Sequence, residues 1–388
     1  MNRNLRLTQY LAFVGLGFTQ CIMGPLLPAI RVRVAMSDWQ AGLVGSGQFI
    51  GVLAVGLLGG RLADRFGKKA FVVTASLVMI AGLAGYFVAA GFTSLFLSSV
   101  LAGLGGGGYE VGVNALQADH AAEDSGHAMN FLHAFYGVGA VGGPFAATLS
   151  LGAGLGWRPV LFLAALAPAA VAALLLAQHV PPGRSAVTEA EPFTVRPVLW
   201  LAGLAFALYV GVEMSVSVWI TTLWSRTAAG SPIPAPLMSA VFWGALTAGR
   251  LVCGKVADRI GHQRFLSLAA AAVVAIGLAW LLFPAAAAMT LAATILFGLA
   301  LAGIYPTLMA LVTDAFPGAS GRVVGFLSVF VAVGGFAFPA GVGRLSDARS
   351  ITVLPAVVVL ASVLLLGTFR AVRLPRPGGE ATAEGFRA

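Results

Sequence analysis

Apolar residues in this chain come in runs of about 20, the length an α-helix needs to cross a hydrocarbon core, and charges and turn residues gather in the short breaks between them. Marking the breaks predicts twelve helical spans. The first six cover residues 8–30, 40–62, 70–90, 94–118, 129–151 and 157–177. The second six cover 197–223, 235–256, 265–283, 287–312, 322–343 and 352–372. The one long polar interruption, "AQHVPPGRSAVTEAEPFTVRP", falls between the sixth and seventh spans. The expected organisation is an N-terminal six-helix bundle (1–180), a cytoplasmic linker (181–196), a C-terminal six-helix bundle (197–373) and a disordered cytoplasmic tail (374–388).

Composition agrees with the pattern. The 388 residues are 59% hydrophobic and only 10% charged, with a mean hydropathy of +0.92. Soluble domains carry about 25% charged residues, so this chain reads as an all-α, polytopic membrane protein whose solvent is the lipid bilayer. The net charge of +9 does not point to nucleic acid, because Lys and Arg sit in short loops and form no basic face. Cys21 and Cys253 both fall inside apolar runs and read as small packed residues, with no metal site or disulfide framework. The first apolar stretch is longer than a signal-peptide core and is followed by no small-x-small cleavage pattern, so it reads as a retained first helix.

The basic residues also orient the chain. With alternating spans, one side of the membrane holds Arg31, Arg33, Arg158, Arg226, Arg344 and Arg349. The other 17 of the 23 Lys and Arg share the side of the two termini, which predicts that both termini are cytoplasmic in a cell membrane, bacterial inner membrane being the expected site.

The chain repeats itself. "GRLADRFG" at 60–67 returns as "GKVADRIG" at 254–261, half the chain length later. Gly126, Gly143 and Pro144 of the fifth span correspond, within a few residues, to Gly321, Gly335 and Pro339 of the eleventh. Six spans plus six with the same topology imply parallel repeats, and a substrate site at their interface.

Of 14 Asp and Glu, Glu110 and Glu213 lie well inside predicted spans. A charge at the bilayer centre costs about 2.5–3.5 kcal/mol on insertion scales, so each faces a partner or a wet cavity, or stays protonated. No Lys or Arg is read as standing well inside a span, so a buried ion pair is not expected. Glu110 then acts as a carboxylic acid whose neutral form burial favours, taking up a proton on one side and releasing it on the other. Asn114, one turn on, shares its face. His133 and Tyr136, spaced i and i+3, share a face of the fifth span. Glu213, Ser217 and Trp219 lie together on the seventh, a carboxylate and an indole that suit the hydroxyls and C–H face of a sugar. Gln20, Gln48 and Tyr305 are further polar groups within spans. The alternatives are structural: a neutral Glu bonded to a backbone carbonyl, a packed histidine, polar groups joining helices, and a tryptophan in the interfacial belt.

Glycine-rich runs such as "GLGGGG" lie within spans and not between a strand and a helix, which excludes a dinucleotide loop. They read as sites of close helix approach, and Gly with Pro144 or Pro339 as points of bending. No nucleophile–base pair, metal cluster or cofactor motif stands out, so neither an enzyme nor a cofactor is expected.

"GGRLADRFGKK" and its echo "GRLVCGKVADRIGHQR" resemble the signature loop of the major facilitator superfamily in its two copies. The resemblance implies the major facilitator fold, twelve transmembrane helices in two pseudo-symmetric bundles, working as a monomer. It also implies that Asp64 and Arg65, with Asp258 and Arg259, form a cytoplasmic latch in the outward-facing state. "WQAGLVGSGQFIG", "YEVGVNAL", "NFLHAFYGVGA", "LYVGVEMSVSVWI", "IYPTLMAL" and "VGGFAFPAGVGRLSD" further resemble segments of the fucose–proton symporter family. That likeness implies proton coupling at Glu110 and sugar binding by residues near Asn114, His133, Tyr136 and Glu213. One position departs: fucose carriers have an aspartate before the Leu-Leu-Pro of the first helix, and this chain has Gly24.

The expected function is import of a monosaccharide, glucose or fucose in kind, by cation symport, with proton preferred to sodium. Facilitated diffusion, export of amphipathic drugs or metabolites on the same fold, and a non-transporting sugar sensor are the alternatives.

Overall fold

Each predicted span is helical. The computed structural model describes residues 3–120, 125–180, 196–316 and 320–371, and all regular structure among them is helix. The first span is Arg3–Cys21 and Met23–Val34, bent by 42° at Ile22. The second joins Asp38–Ser46 to Gln48–Phe66. Lys68–Val88, Phe92–His120, Ser125–Gly152 and Arg158–Ala177 complete the first set. The second set is Pro197–Thr227, Leu237–Ile260, His262–Leu282, Ala287–Leu301 with Ile304–Asp314, Ser320–Ala348 and Leu354–Ala371. Ten helices, or eleven counting the bent first pair, are long and apolar enough to cross a membrane among the described residues. The glycine-rich Phe92–His120, 29 residues long, completes twelve by length. Nearly all of the linker and tail expected from the sequence lies outside the described residues.

Local chemistry sets several boundaries. Ser37 accepts a hydrogen bond from the Gln40 amide at 3.2 Å, and the Gln40 side chain accepts from the Ser37 amide at 3.1 Å. This capping box starts the second span four residues after the first ends. Gly67 ends that span at φ +84°, ψ +137°, and Gly261 ends the eighth at φ +88°, ψ +138°. The repeated octapeptide is thus a repeated backbone turn in a region open to glycine.

Apolar side chains point outward as well as inward. Leu57, Phe162, Leu176 and Leu364 are all more than half exposed, as a surface solvated by lipid tails requires. Small residues let the helices approach closely. A Cβ at Gly17 would strike the Tyr136 carbonyl, and one at Gly139 the Val14 carbonyl, so the first and fifth spans cross glycine to backbone on both sides. In the "GLGGGG" run, Gly105 and Gly108 face the third span at Met79 and Ala75, while Gly103 and Gly107 face the second at Gln48 and Val52.

The two bundles meet where the first span packs on the seventh, the second on the eleventh and the fifth on the eighth. A Cβ at Gly24 would collide with the Ser217 carbonyl oxygen; one at Gly42 would stand 2.8 Å from the Pro339 carbonyl oxygen, and one at Gly45 2.8 Å from Val218. These contacts lie toward the end of the molecule away from the chain termini. At the terminal end, Gly60, Gly67, Gly254 and Gly261 have no atom within 4 Å of where a Cβ would stand. The bundles touch closely at the end away from the termini, and the repeated loops at the terminal end are exposed.

Candidate functional site

Polar residues of the first bundle face the space between the halves. Tyr136 donates to Gln20 Oε1 at 3.0 Å and lies 3.7 Å from Cys21 Sγ. Gln48 Nε2 donates to the Gln20 carbonyl at 3.3 Å. His133 stacks edge-on against Phe13, centroids 4.9 Å apart, with the Arg250 charge as an electrostatic neighbour. Glu110, half-buried on the fourth span, makes no hydrogen bond or ion pair with any described residue. One turn on, the Oδ1 atom of Asn114 is buried and likewise has no partner.

The second bundle answers with a charged cluster. Tyr209 donates to Glu213 Oε1 at 2.8 Å, on the i, i+4 spacing of one helix face. Arg250 Nη2 stands 4.0 Å from the same Glu213 oxygen. The expectation that no ion pair is buried is therefore corrected. Arg250 is not in a loop: it stands ten residues before the end of the helix Leu237–Ile260, about 15 Å up its axis. The basic residues close by in sequence, Lys255 and Arg259, made it read as part of a loop. Its side chain is one-third exposed. Tyr136 and Tyr209 are also electrostatic neighbours of Arg250. Tyr305 has electrostatic neighbours in Glu110, Glu213 and Arg250. The structure brings together Glu110, Gln20, His133, Tyr136, Glu213 and Tyr305, and adds Tyr209 and Arg250.

Ser217 and Trp219 stand elsewhere. Ser217 Oγ accepts from Trp243 Nε1 at 3.0 Å, and Trp243 packs edge-on to Tyr136 across the halves, centroids 6.1 Å apart. Ser217 and Trp243 are buried where the two halves touch. Trp219 is fully buried and donates to the Pro339 carbonyl at 2.8 Å. Its ring packs where Gly42 and Gly343 leave room. The indole reads neither as an open sugar platform nor as a belt residue: it is packing between the seventh and eleventh spans. Its spacing from Glu213 placed both on one helix but could not say which face each takes.

At the closed end lies a cluster the sequence reading did not single out. Asp38, only 3% exposed, accepts from Arg226 Nη1 and Nη2 at 2.6 Å each and from Ser346 Oγ at 2.5 Å. Arg31 Nε lies 2.8 Å from Asp38 Oδ1 as an ion contact without hydrogen-bond alignment. Asp347 in turn accepts from the backbone amides of Asp38 and Trp39 at 2.7 and 2.9 Å. Bidentate guanidinium–carboxylate pairs are among the strongest side-chain contacts, and this one joins the first bundle to the second. The residues expected to latch the other end are apart: Asp64, Arg65 and Arg259 are exposed, Arg65 lies over Phe66, and Asp258 pairs with His262 at 3.3 Å across the Gly261 turn to the next helix.

The sequence model of the Major Facilitator Superfamily matches residues 10–339. The chain belongs to this superfamily. An uncharacterized superfamily transporter of Yersinia pestis is 24% identical over 365 residues, covering 93% of this chain and 94% of the relative. The 3-(3-hydroxy-phenyl)propionate transporter of Escherichia coli (strain K12) is 29% identical over 247 residues, 60% of this chain and 59% of the relative. A mutant of the nucleoside transporter NupG shares the fold, with a TM-score of 0.79 at 14% identity over 95% of this chain and 99% of that one. This member of the superfamily is a multi-pass membrane transporter of small molecules.

Proposed function

We propose that this chain imports a small organic solute together with protons by alternating access, with Glu110 as a proton-binding residue. One observation carries the reading: Glu110 is a half-buried carboxylate within a helix of the bundle, with no hydrogen bond or ion pair among the described residues, and it shares Tyr305 as an electrostatic neighbour with the Glu213–Arg250 pair. A carboxylic acid there gains and loses a proton as the cleft opens to one side and then the other, and needs no oxygen-rich cage of the kind a sodium ion requires. The positive-inside bias puts the termini, and so the end with the exposed repeated loops, in the cytoplasm. The structure is then inward-facing, and the cluster around Asp38 seals the outer side. Asp64, Arg65, Asp258 and Arg259 come together when that seal opens. Gln20, Gln48, Asn114, His133, Tyr136 and Tyr305 line the solute's path, with Ser217 beneath it. The inner membrane of a bacterium is the corresponding location. The narrower likeness to fucose–proton symporters supports the proton-binding carboxylate, while the hexose loses its aromatic platform with Trp219 buried.

The test uses wild-type and Glu110→Gln protein in proteoliposomes, with a panel of hexoses and small carboxylates. In wild type one solute is exchanged in counterflow and accumulated under an inward pH gradient. The variant keeps the exchange and loses the accumulation. Equal accumulation by both proteins overturns the proton role, and no gradient-driven movement of any solute in folded protein overturns symport.

A further inference from the structure

We infer that Arg250 anchors the carboxylate of a small aromatic acid, and that this carboxylate displaces Glu213 from it. The inference rests on the symport reading and names its substrate class.

The Glu213–Arg250 contact is incomplete. A charge-assisted pair closes to about 2.7–2.9 Å, whereas this one stands at 4.0 Å. The nearer Glu213 oxygen is taken by Tyr209 at 2.8 Å, and the same phenol is an electrostatic neighbour of Arg250. Arg250 Nε is buried with no hydrogen-bond acceptor among the described residues. A buried guanidinium N–H without an acceptor is unfavourable, and a carboxylate docking side-on satisfies Nε and one Nη together, the fork geometry arginine is suited to. The electrostatic neighbours of the guanidinium include aromatic side chains: Tyr136, Tyr209, Tyr305 and His133. Phenols and an imidazole beside a fixed cation suit a ring that bears its own hydroxyl.

Substrate arrival then loads a proton. When the incoming carboxylate takes Arg250, Glu213 is left buried without its cation, and its neutral acid form is favoured. One proton binds Glu213 as one carboxylate binds Arg250, so the pair travels without net charge. On release the proton leaves Glu213, and Glu213 returns to Arg250. The groups that face this exchange are Arg250 of the eighth span, Tyr209 of the seventh, Tyr136 and His133 of the fifth, Tyr305 of the tenth, Cys21 of the first and, beyond Tyr305, Glu110 of the fourth.

The experiment measures binding of a panel of small aromatic and aliphatic monocarboxylates to the full-length protein, from pH 5 to 8. 3-(3-Hydroxyphenyl)propionate is in the panel, its carboxamide serves as the neutral analogue, and D-glucose is the control. A carboxylate is expected to bind wild type more tightly as pH falls, by up to about tenfold per pH unit for one linked proton. The carboxamide binds weakly at every pH. Arg250→Gln weakens carboxylate binding by about 100-fold or more, and Arg250→Lys restores only part of it. Compared in a Glu110→Gln background, so that the proton site of the symport reading does not contribute, Glu213→Gln binds the acid tightly with no pH dependence, a gain that a merely structural role for Glu213 does not produce. Equal binding of acid and amide, or retained pH dependence when Glu213→Gln is made in the Glu110→Gln background, overturns the inference. If glucose alone is taken up with protons, symport stands and this inference falls. If no solute moves with protons, symport itself falls.

Discussion

Asp38 at the start of the second span and Arg226 at the end of the seventh are joined by two hydrogen bonds of 2.6 Å across the boundary between the bundles. They are 188 positions apart in sequence, and Ser346, a further partner of Asp38, is 308 away. In the proposed alternating-access cycle this contact breaks each time the outer side opens. Removing one partner of a buried ion pair costs about 3–5 kcal/mol, and the one-third exposure of both arginines lowers that. Asp38→Asn is expected to lose about 2–3 kcal/mol of preference for the closed end, roughly a 30- to 150-fold shift toward opening. The measurement is maleimide labelling of Val218→Cys, which packs against Gly45 at that end, in a background with Cys21 and Cys253 replaced by Ala. Unchanged labelling would show that the cluster does not hold this end shut.

Gly24 stands where fucose carriers have an acid, and the structure supplies a steric reason for the difference. The first span passes so close to the Ser217 carbonyl that no Cβ fits. Gly24→Ala is expected to destabilise this closed state by about 1–3 kcal/mol through overpacking, and to raise the same cysteine labelling. An alanine variant with wild-type labelling and melting temperature counts against this account.

Trp219→Phe removes the hydrogen bond to the Pro339 carbonyl while keeping most of the ring packing. The buried carbonyl loses its donor, a cost of about 1–3 kcal/mol. The melting temperature falls, and the dissociation constant of the transported solute stays within about twofold of wild type. A large loss of affinity with unchanged stability would return the indole to the binding site.

Gly67→Ala and Gly261→Ala each place a Cβ at a backbone angle that L-residues rarely adopt, at about 1–2 kcal/mol per site. Gly60→Ala and Gly254→Ala lie within helices with open space around them, and each gains up to about 1 kcal/mol from helix propensity. Thermal melting of the four variants is expected to divide them into two destabilised and two neutral or stabilised proteins. A destabilised Gly60→Ala would point to a close contact not seen in this conformation.

The fold was written locally. Runs of apolar residues, the Gly67 and Gly261 turns and the repeated octapeptide act over a few residues or one helix, so the twelve helices and their division into two sets were legible before any helix was placed. Their ends moved by a few residues, and the breaks at Ile22 and at Ala302–Gly303 were not anticipated. Glu110 and Glu213 were legible for the same reason, since a carboxylate inside an apolar run is conspicuous wherever it faces. The Tyr209–Glu213 bond was readable from its i, i+4 spacing, though it was not singled out.

Arg250, Asp38 and Trp219 were not legible in that way. Arg250 sits near the basic end of its helix, and only the helix's depth in the bundle shows that it reaches Glu213. Asp38 is a turn acid by sequence and becomes a clasp because Arg226 and Ser346 arrive from the other bundle. Trp219 shares a helix with Glu213, but the approach of Gly42, Gly343 and Pro339 buries it. By itself the sequence determined which segments cross the membrane, how they repeat and which carboxylates are costly to bury, because those properties depend on neighbours along the chain. The tertiary structure decided which of those groups are paired, which are free and which end is shut, because each depends on contacts between helices that the chain brings together from far apart.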